Sequence, residues 1–458
     1  MSGCDCEMTR RRVLALLGLG AAGGAWCGFR SRSELVDFLD EDEKAPDPFH
    51  VIRKPFPADP SREVSLLGYG GIRLPIKGRR KTQLDYELAG KLFDYAYRHG
   101  VNYFDTGWVY HDGEGEKFLG YQIKKYPRDK IFVVDKMPTW LVHSLDDAKK
   151  FFEEQLKRCQ VEYFDNYLLH SVHSREEYDR VYKKFGVMDW LKEQQAKGRI
   201  RHVGMSYHGK EDFLKEIVGD HPWSLVLIQF NAIDYDSAWF QSKKLYDVLA
   251  EHKVPVGVME PLAGGRVATL NAKARRILES AAPGKSPASW GFRFVASHPD
   301  VLVVLSGMNK LAHVRENVAT LSREAFSPLS EEERKTYKTA IAAFREFATV
   351  PCTGCRYCMP CPYGVNIPEV FAWYNGYAGD GLLPADEGAN ATQELRRRFL
   401  ADYARRFPRG TRAENCIGCK KCLVACPQWT FRIPEQMVKI DNFIAHVRET
   451  YVAQGGRL

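Results

Sequence analysis

The sequence predicts a (β/α)8 barrel followed by a small, mostly helical domain. Short apolar or β-branched runs alternate with helical patterns eight times between residues 66 and 306. Nearly every run ends in a polar residue, and eight of the 12 cysteines lie in two tight groups after residue 350. These observations predict a barrel over residues 62–345 and a second domain over residues 346–458.

The first 30 residues are predicted to be an export signal. Thr9-Arg10-Arg11-Arg12-Val13-Leu14 precedes an apolar stretch, rich in glycine and alanine, that is too short to cross a bilayer comfortably. This pattern resembles a twin-arginine signal, which implies passage through the Tat translocase and a periplasmic or membrane-associated location. A cytoplasmic protein with a basic terminus is the alternative. Residues 31–61, acidic and rich in proline, are predicted to be a linker.

Each predicted strand is a short run bounded by helical or turn-forming sequence. The eight runs are Leu66–Leu74, Val101–Asp105, Lys130–Lys136, Tyr163–His170, Arg201–Ser206, Ser224–Gln229, Val254–Glu260 and Val301–Ser306. The carboxyl ends of barrel strands form the mouth where active sites lie. A doubly wound open sheet is the alternative, but no Gly-x-Gly-x-x-Gly follows the first strand.

Polar residues end seven of the eight runs. They are Asp105, Lys136, His170, Ser206, Gln229, Glu260 and Ser306. Charges at the partly buried rim of a barrel must be paired, so chance solvation does not explain seven polar ends in register. The sequence therefore predicts a binding or catalytic site at this rim.

The composition excludes one class of function. The chain is 27% charged and 45% hydrophobic, as is ordinary for globular proteins. Its net charge of +8 is spread along the chain, with no basic run interleaved with aromatic residues, so nucleic-acid binding is not expected. Cys4, Cys6, Cys27 and Cys159 lie outside the two cysteine groups. Cys159 falls in a helical pattern and is predicted to be a small buried hydrophobe.

The two cysteine groups have the spacing of iron–sulfur ligands. The first reads Cys352-Thr-Gly-Cys355-Arg-Tyr-Cys358-Met-Pro-Cys361, and the second reads Cys416-Ile-Gly-Cys419-Lys-Lys-Cys422-Leu-Val-Ala-Cys426. Thiolates at i, i+3 and i+6 on a tight loop reach three corners of a cubane. A disulfide framework does not need this regularity, and zinc ribbons use separated pairs of cysteines. The sequence therefore predicts two 4Fe-4S clusters and electron transfer.

The second group has the full spacing of bacterial dicluster ferredoxins, whereas the first closes with only two residues before its last cysteine. This resemblance implies two ligand sets, Cys352, Cys355, Cys358 and Cys426 for one cluster, and Cys416, Cys419, Cys422 and Cys361 for the other. A helix is predicted between the groups, at Thr392–Phe407. The region therefore resembles the helical dicluster modules of redox enzymes.

Four residues at or near the strand ends resemble the catalytic tetrad of the aldo-keto reductases in order, spacing and strand position. They lie in Asp105-Thr-Gly-Trp-Val-Tyr110, at Lys136 and in Tyr-Leu-Leu-His170. The resemblance implies that Tyr110 exchanges a proton with the substrate and that Lys136 lowers the pKa of Tyr110. It further implies that Asp105 pairs with Lys136 and that His170 orients the substrate oxygen. An unperturbed tyrosine, with a pKa near about 10, would not exchange its proton readily in both directions.

The same resemblance implies a nicotinamide cofactor. Its carboxamide would contact Ser206 and Gln229, its pyrophosphate would lie on the loop that begins Pro261-Leu262-Ala263-Gly264, and its adenosine end would lie near Ser306, Glu316 and Asn317.

The choice between NADP and NAD stays open. Gly307 and Met308 stand where many members of the family have a Lys-Ser pair that meets the 2'-phosphate, and His313 stands in place of an arginine. Phosphate recognition without these cations loses its strongest contacts. Lys310 and Arg315 are near enough in sequence to substitute.

Together these features predict an oxidoreductase that interconverts a carbonyl and an alcohol and exchanges electrons with two clusters. Nicotinamide trades two electrons as hydride and each cluster trades one, so a flavin on a partner is a candidate converter. A redox partner protein or a quinone-linked complex is the expected electron partner. The alternative is a barrel without turnover that serves as an electron-relay or scaffold subunit of a membrane redox complex.

Overall fold

The computed structural model describes residues 47–78, 81–346, 349–354, 356–426 and 432–457. The predicted export signal, the first part of the predicted linker and Cys355 lie outside the described residues. Cys4, Cys6 and Cys27 lie outside them as well. Within the described ranges, no helix is both long enough and apolar enough to span a membrane.

An antiparallel hairpin of β1 (Arg53–Phe56) and β2 (Asp59–Ser65) precedes the barrel. Most of it falls in residues that the sequence analysis takes as linker. Phe56 and Val64 are buried in a cluster that includes side chains from the first residues of the barrel strands, and the Phe56 ring lies 5.3 Å from that of Phe132. The hairpin therefore closes the amino-terminal end of the barrel.

Eight parallel strands close into a barrel, as the sequence predicts. The strands are β3 (Leu67–Gly70), β4 (Tyr103–Asp105), β5 (Phe132–Met137), β6 (Phe164–Val172), β7 (Ile200–Tyr207), β8 (Val226–Gln229), β9 (Val256–Met259) and β10 (Val301–Ser306). Each strand pairs with its neighbour in sequence, and β10 pairs with β3 to close the ring. All carboxyl ends therefore open at one mouth.

Most of the helices around the barrel pack their apolar faces on the outward-facing side chains of the strands, whereas those over residues 272–281 and 331–345 bury theirs in a separate apolar cluster. They are α1 (Tyr86–Arg98), α2 (Glu114–Ile123), α3 (Leu145–Cys159), α4 (Arg175–Tyr178), α5 (Val187–Ala196), α6 (Glu211–Ile217), α7 (Ser242–Glu251), α8 (Ala272–Ala281), α9 (Pro287–Ala296), α10 (Leu311–Thr320) and α11 (Glu331–Arg345). Cys159, at the end of α3, is fully buried, as the helical pattern predicts.

The carboxyl-terminal region is helical and has its own hydrophobic core. Its helices are α12 (Ile367–Gly379), α13 (Gln393–Arg406), α14 (Lys421–Ala425) and α15 (Ile433–Ala453). Helix α13 matches the predicted helix, and the Thr392 hydroxyl caps it by accepting from the Leu395 amide at 3.2 Å. The cysteines border this core, and Cys426 is buried within it.

Candidate active site and cysteine sites

A cavity of about 1010 Å3 opens at the carboxyl ends of the barrel strands. It brings together all the residues that the sequence analysis assigns to catalysis and to cofactor binding, namely Asp105, Tyr110, Lys136, His170, Ser206, Gln229, Pro261, Leu262, Gly264, Ser306, Glu316 and Asn317. Because these residues come from separate strands and loops, only closure of the barrel brings them to one place.

Asp105, Lys136 and Tyr110 form a buried hydrogen-bonded group, and His170 is buried beside it. The Lys136 Nζ atom donates to Asp105 Oδ1 at 2.7 Å, to the Thr106 carbonyl oxygen at 2.5 Å and to the Tyr110 hydroxyl at 3.3 Å. The His170 ring lies nearly perpendicular to that of Tyr110, with centroids 6.2 Å apart. Strand ends fix Asp105, Lys136 and His170, whereas Tyr110 lies in the loop after β4.

Burial raises the pKa of Tyr110 well above its ordinary value. The carboxylates of Asp105, Asp135 and Glu260 raise it further, and the Arg73 guanidinium opposes them. The resemblance implies that Lys136 lowers this pKa. In the structure, however, the Lys136 ammonium lies 2.7 Å from Asp105 Oδ1 and 3.3 Å from the Tyr110 hydroxyl, so the Asp105 carboxylate offsets its charge. Tyr110 is therefore protonated at neutral pH.

His170 is held as a neutral imidazole. Burial lowers its pKa well below the ordinary value, and the charges of Lys136 and His208 lower it further. Its Nδ1 atom is buried and has no hydrogen-bond partner among the described residues. The Trp140 ring lies 5.0 Å from the His170 ring and is partly exposed at the cavity wall. A neutral imidazole beside a protonated phenol can hold a carbonyl oxygen without a net positive charge.

Beneath Lys136, buried polar groups fix the backbone of β5. The Gln155 amide nitrogen donates to the Lys136 carbonyl oxygen at 3.0 Å and to Asp135 Oδ1 at 2.8 Å. Burial and the nearby Glu116 carboxylate raise the pKa of Asp135 well above its ordinary value. Glu116 in turn pairs with Arg158 at 2.9 Å. No sequence motif singled out this support, because it depends on how α2 and α3 pack below the strand.

Ser206 and Gln229 present complementary hydrogen-bonding groups. The Ser206 hydroxyl oxygen accepts from the Ser171 amide at 2.8 Å, so its own proton stays available to donate. The Gln229 amide nitrogen donates to Asp234 at 2.8 Å, so its carbonyl oxygen stays available to accept. The pair therefore offers one donor and one acceptor to the cavity.

At the far end of the cavity, Asn317 donates to the Ser306 hydroxyl at 3.0 Å, and Ser286 donates to Glu316. Of the two cations considered as substitutes for phosphate recognition, Arg315 forms an ion pair with Asp47 at 3.0 Å. Lys310 is exposed. Neither of these two cations lines the cavity, so the choice between NADP and NAD stays open.

One ion pair at the cavity escapes the sequence motifs. Arg73, in the loop after β3, donates to Glu260 at 3.2 Å, and both residues line the cavity. Glu260 follows β9 in a left-handed backbone conformation, with φ of 54°, which is unusual for a residue other than glycine. The polar strand end at Glu260 was the available sequence signal, whereas nothing in the sequence linked it to Arg73.

The carboxyl-terminal region supplies part of the cavity wall. Tyr357, from the first cysteine group, lines the same cavity as the tetrad, together with Val424, Ala425 and Cys426 from the second. The barrel and the cysteine loops therefore share one surface.

The second cysteine group converges with Cys361. A smaller cavity of about 170 Å3 is lined by Cys358, Cys361, Cys416, Cys419 and Cys422. Burial raises the pKa of Cys422 to about 11, and the nearby Cys416, Cys419 and Cys361 also raise it. Four mutually close thiols match the ligand set that the ferredoxin resemblance implies for one cluster.

For the other predicted ligand set, Cys352 and Cys358 are partly buried against the helical core, and Cys426 is buried there. Among the described residues, no group of three His, Cys, Asp or Glu side chains is placed so that it could hold a single metal ion. A cubane, by contrast, spreads its four ligands over separate corners. Thiolate sulfurs are the usual ligands of iron–sulfur clusters, so these cysteines are chemically suited to hold them.

Two family profiles match the chain, one over the barrel and one over the cysteine region. A profile of the "Aldo/keto reductase family" matches residues 66–341, which contain the barrel. A profile of the "4Fe-4S dicluster domain" matches residues 351–431, which contain both cysteine groups.

Related proteins match the barrel region. The chain is 24% identical over 306 residues to the uncharacterized oxidoreductase YqkF of Bacillus subtilis, covering 60% of this chain and 92% of that protein. It is 24% identical over 248 residues to L-galactose dehydrogenase of Arabidopsis thaliana, covering 50% and 76%. A thermostable aldo-keto reductase solved with the inhibitor epalrestat gives a TM-score of 0.52 at 25% identity, covering 63% of this chain and 99% of that chain. The holo form of AKR11C1 from Bacillus halodurans shares the fold, with a TM-score of 0.52 at 21% identity and coverage of 64% and 96%.

Proposed function

The chain belongs to the aldo/keto reductase family, and on this premise we propose that it interconverts a carbonyl and an alcohol in the barrel cavity and exchanges electrons with two 4Fe-4S clusters. The observation that carries the proposal is the buried group of Tyr110, Lys136, Asp105 and His170 on the same cavity as a cysteine loop.

Tyr110 acts as the proton donor when the carbonyl is reduced. Its raised pKa keeps the hydroxyl protonated, and Lys136 and His170 stabilise the negative charge that develops on the substrate oxygen. In the opposite direction the Tyr110 phenolate must form before it accepts the alcohol proton. Arg73, which lowers the pKa of Tyr110, favours that form.

The cavity fits a nicotinamide nucleotide. A primary carboxamide has one acceptor oxygen and a donor amide, which match the free donor of Ser206 and the free acceptor of Gln229. The loop from Pro261 to Gly264 and the group at Ser306, Glu316 and Asn317 lie along the rest of the cavity, where they would hold the pyrophosphate and the adenosine end. Bound there, a nicotinamide supplies or accepts hydride at the substrate carbon.

The cysteines hold two clusters in the ligand sets given by the ferredoxin spacing, with Cys361 and Cys426 each serving the cluster of the other group. Bound clusters exchange single electrons with a redox partner protein or a quinone-linked complex. A flavin on that partner would convert between hydride and single electrons. The twin-arginine pattern supports export of the folded, metallated protein to the periplasm.

The test is a single-turnover experiment on anaerobically purified protein. The oxidised enzyme, with its bound nucleotide, is mixed with a panel of alcohols, and aldehyde or ketone product is measured beside the cluster absorbance. Product formation with stoichiometric reduction of nucleotide or clusters supports the proposal. If a partner reduces and reoxidises the clusters while no alcohol or carbonyl compound of the panel is converted, the result would instead support the relay subunit.

A further inference from the structure

The first cysteine group is fixed against the cavity loop by close contacts. A Cβ atom placed on Gly264 would lie 2.2 Å from the Thr353 Cβ, so only glycine allows the two loops to approach this closely. Arg73 donates to the Thr353 carbonyl oxygen at 3.1 Å. Thr353 immediately follows Cys352, so this predicted cluster ligand is held beside the loop that begins at Pro261.

Arg266, just after that loop, is an incompletely satisfied cation. Its Nη2 atom donates to the Thr349 hydroxyl at 3.1 Å, while its Nε atom is sealed from solvent and has no acceptor among the described residues. Burial lowers its pKa, and the charges of Asp234 and Cys352 oppose that effect. A guanidinium in such a place is costly unless an anion lies nearby.

The protein groups around Arg266 leave positive charge in excess. Asp234 is the nearby carboxylate, but its Oδ2 atom already accepts from Gln229 and Asn231, and a second guanidinium, Arg345, adds to the positive charge. Lys273, an exposed cation of α8, pairs at the surface with Glu346 at 2.6 Å. Thr349, which accepts from Arg266, lies three residues before Cys352, so the guanidinium lies beside the first cysteine group.

We propose that Arg266 is the charge partner of the cluster bound by Cys352, Cys355, Cys358 and Cys426, and that it raises the reduction potential of this cluster. This inference depends on the proposed function in one respect, the binding of two clusters. Four thiolates give a 4Fe-4S cluster a net negative charge that increases on reduction, so a neighbouring guanidinium stabilises the reduced state more than the oxidised state.

The two clusters differ in their access to the cavity and to solvent. Cys426, a ligand of the cluster beside Arg266, lines the cavity of the tetrad, whereas Cys419, a ligand of the other cluster, is exposed. The cluster beside Arg266 therefore borders the cavity, and the other faces solvent, where a partner can reach it.

The experiment is a potentiometric titration of the full holoprotein, followed by electron paramagnetic resonance, for the wild type, Arg266→Gln and Arg266→Lys. Lys273→Gln serves as the control, since it removes the same charge from the exposed pair with Glu346. Iron content is measured first, so that loss of cluster binding, which would count against the proposed function, is separated from a change in potential.

Arg266→Gln is expected to shift the potential of one cluster downward and to leave the other in place, with Arg266→Lys intermediate and Lys273→Gln unchanged. If Arg266→Gln does not fold, Arg266→Met, which also removes the charge, takes its place in the comparison with the wild type. Full iron content with both potentials unshifted in the variant that folds would overturn the inference. A shift of equal size in Lys273→Gln would overturn it as well, because the effect would then be a general one of net charge.

Discussion

The hydroxyl of Tyr110 has more negative than positive charge around it, although the Lys136 ammonium is its neighbour. Three carboxylates raise its pKa in addition to burial, and the effect of Lys136 is offset by its own pair with Asp105. These surroundings keep Tyr110 protonated, so the proposed reductive activity is expected to stay level as the pH rises from neutral.

Replacing Tyr110 by Phe is expected to lower turnover by at least about 10²-fold, because the change removes the proton donor and keeps the ring. Binding of nucleotide, measured by fluorescence quenching, should persist. Tyr121→Phe is the matched control, since Tyr121 is 54% exposed and lies outside the cavity. Wild-type turnover in Tyr110→Phe would move the proton donor elsewhere.

The neutral histidines at the cavity predict a pH dependence of stability. Burial and the charge of His173 lower the pKa of His208 to about 4, and His170 is lowered as well. The unfolded chain, with a histidine pKa of about 6.5, binds these protons first, so the free energy of unfolding should fall as the pH drops from about 6.5 toward 4. Each group contributes at most about 1.4 kcal/mol per pH unit.

Denaturant unfolding at pH 7 and pH 5 measures this slope. His208→Gln should lose less stability between the two pH values than the wild type, because it removes one of the titrating groups. His446→Gln, at an exposed pair with Asp386, should follow the wild type. Identical slopes in all three proteins would show that His208 titrates alike in the folded and unfolded chains.

At the scale of elements, the barrel was predictable because its strands are short apolar runs with polar ends, and each of the eight appears in the structure near its predicted place. The β1–β2 hairpin was not. Its two buried apolar residues, Phe56 and Val64, stand among charged and proline residues, so the strand pattern is too sparse to separate from a linker.

Residue type and spacing were enough to predict that the tetrad residues lie at one cavity and that cysteines of the two groups lie close together. The ion pair of Arg73 with Glu260 and the support of Lys136 by Gln155 join residues far apart in sequence. Such contacts exist only after the barrel has closed, and nothing in the chain marks them beforehand. The same holds for the contact between Gly264 and Thr353.

Replacing Gly264 by Ala tests how the two domains are joined. The new methyl group would overlap Thr353, and the φ of 69° adds strain, so we expect a loss of roughly 1–3 kcal/mol of stability and faster proteolysis of the cysteine region. Gly265→Ala is the control, since Gly265 also has a positive φ but would meet no atom within 4 Å. Equal losses in both variants would attribute the effect to backbone strain alone.

At the scale of the whole molecule, the proposed amino-terminal signal and the proposed clusters together imply that the protein is folded and metallated before export. We expect Arg10→Lys with Arg11→Lys to leave the protein in the cytoplasm with its full iron content, because the twin-arginine route requires both arginines and acts on folded proteins. Fractionation and iron analysis of each fraction measure this. Unaltered periplasmic recovery of the double variant would remove the twin-arginine assignment.

The wall that the cysteine loops add to the barrel cavity links the maturation of the pocket to iron supply. Tyr357 and the residues from Val424 to Cys426 complete the pocket, and thiolate bonds to iron hold such loops in place. With the proposed clusters, a chain translated during iron starvation is therefore expected to carry an incomplete pocket. Cluster insertion would then give the pocket its final shape in the same step that equips the protein for the proposed electron transfer.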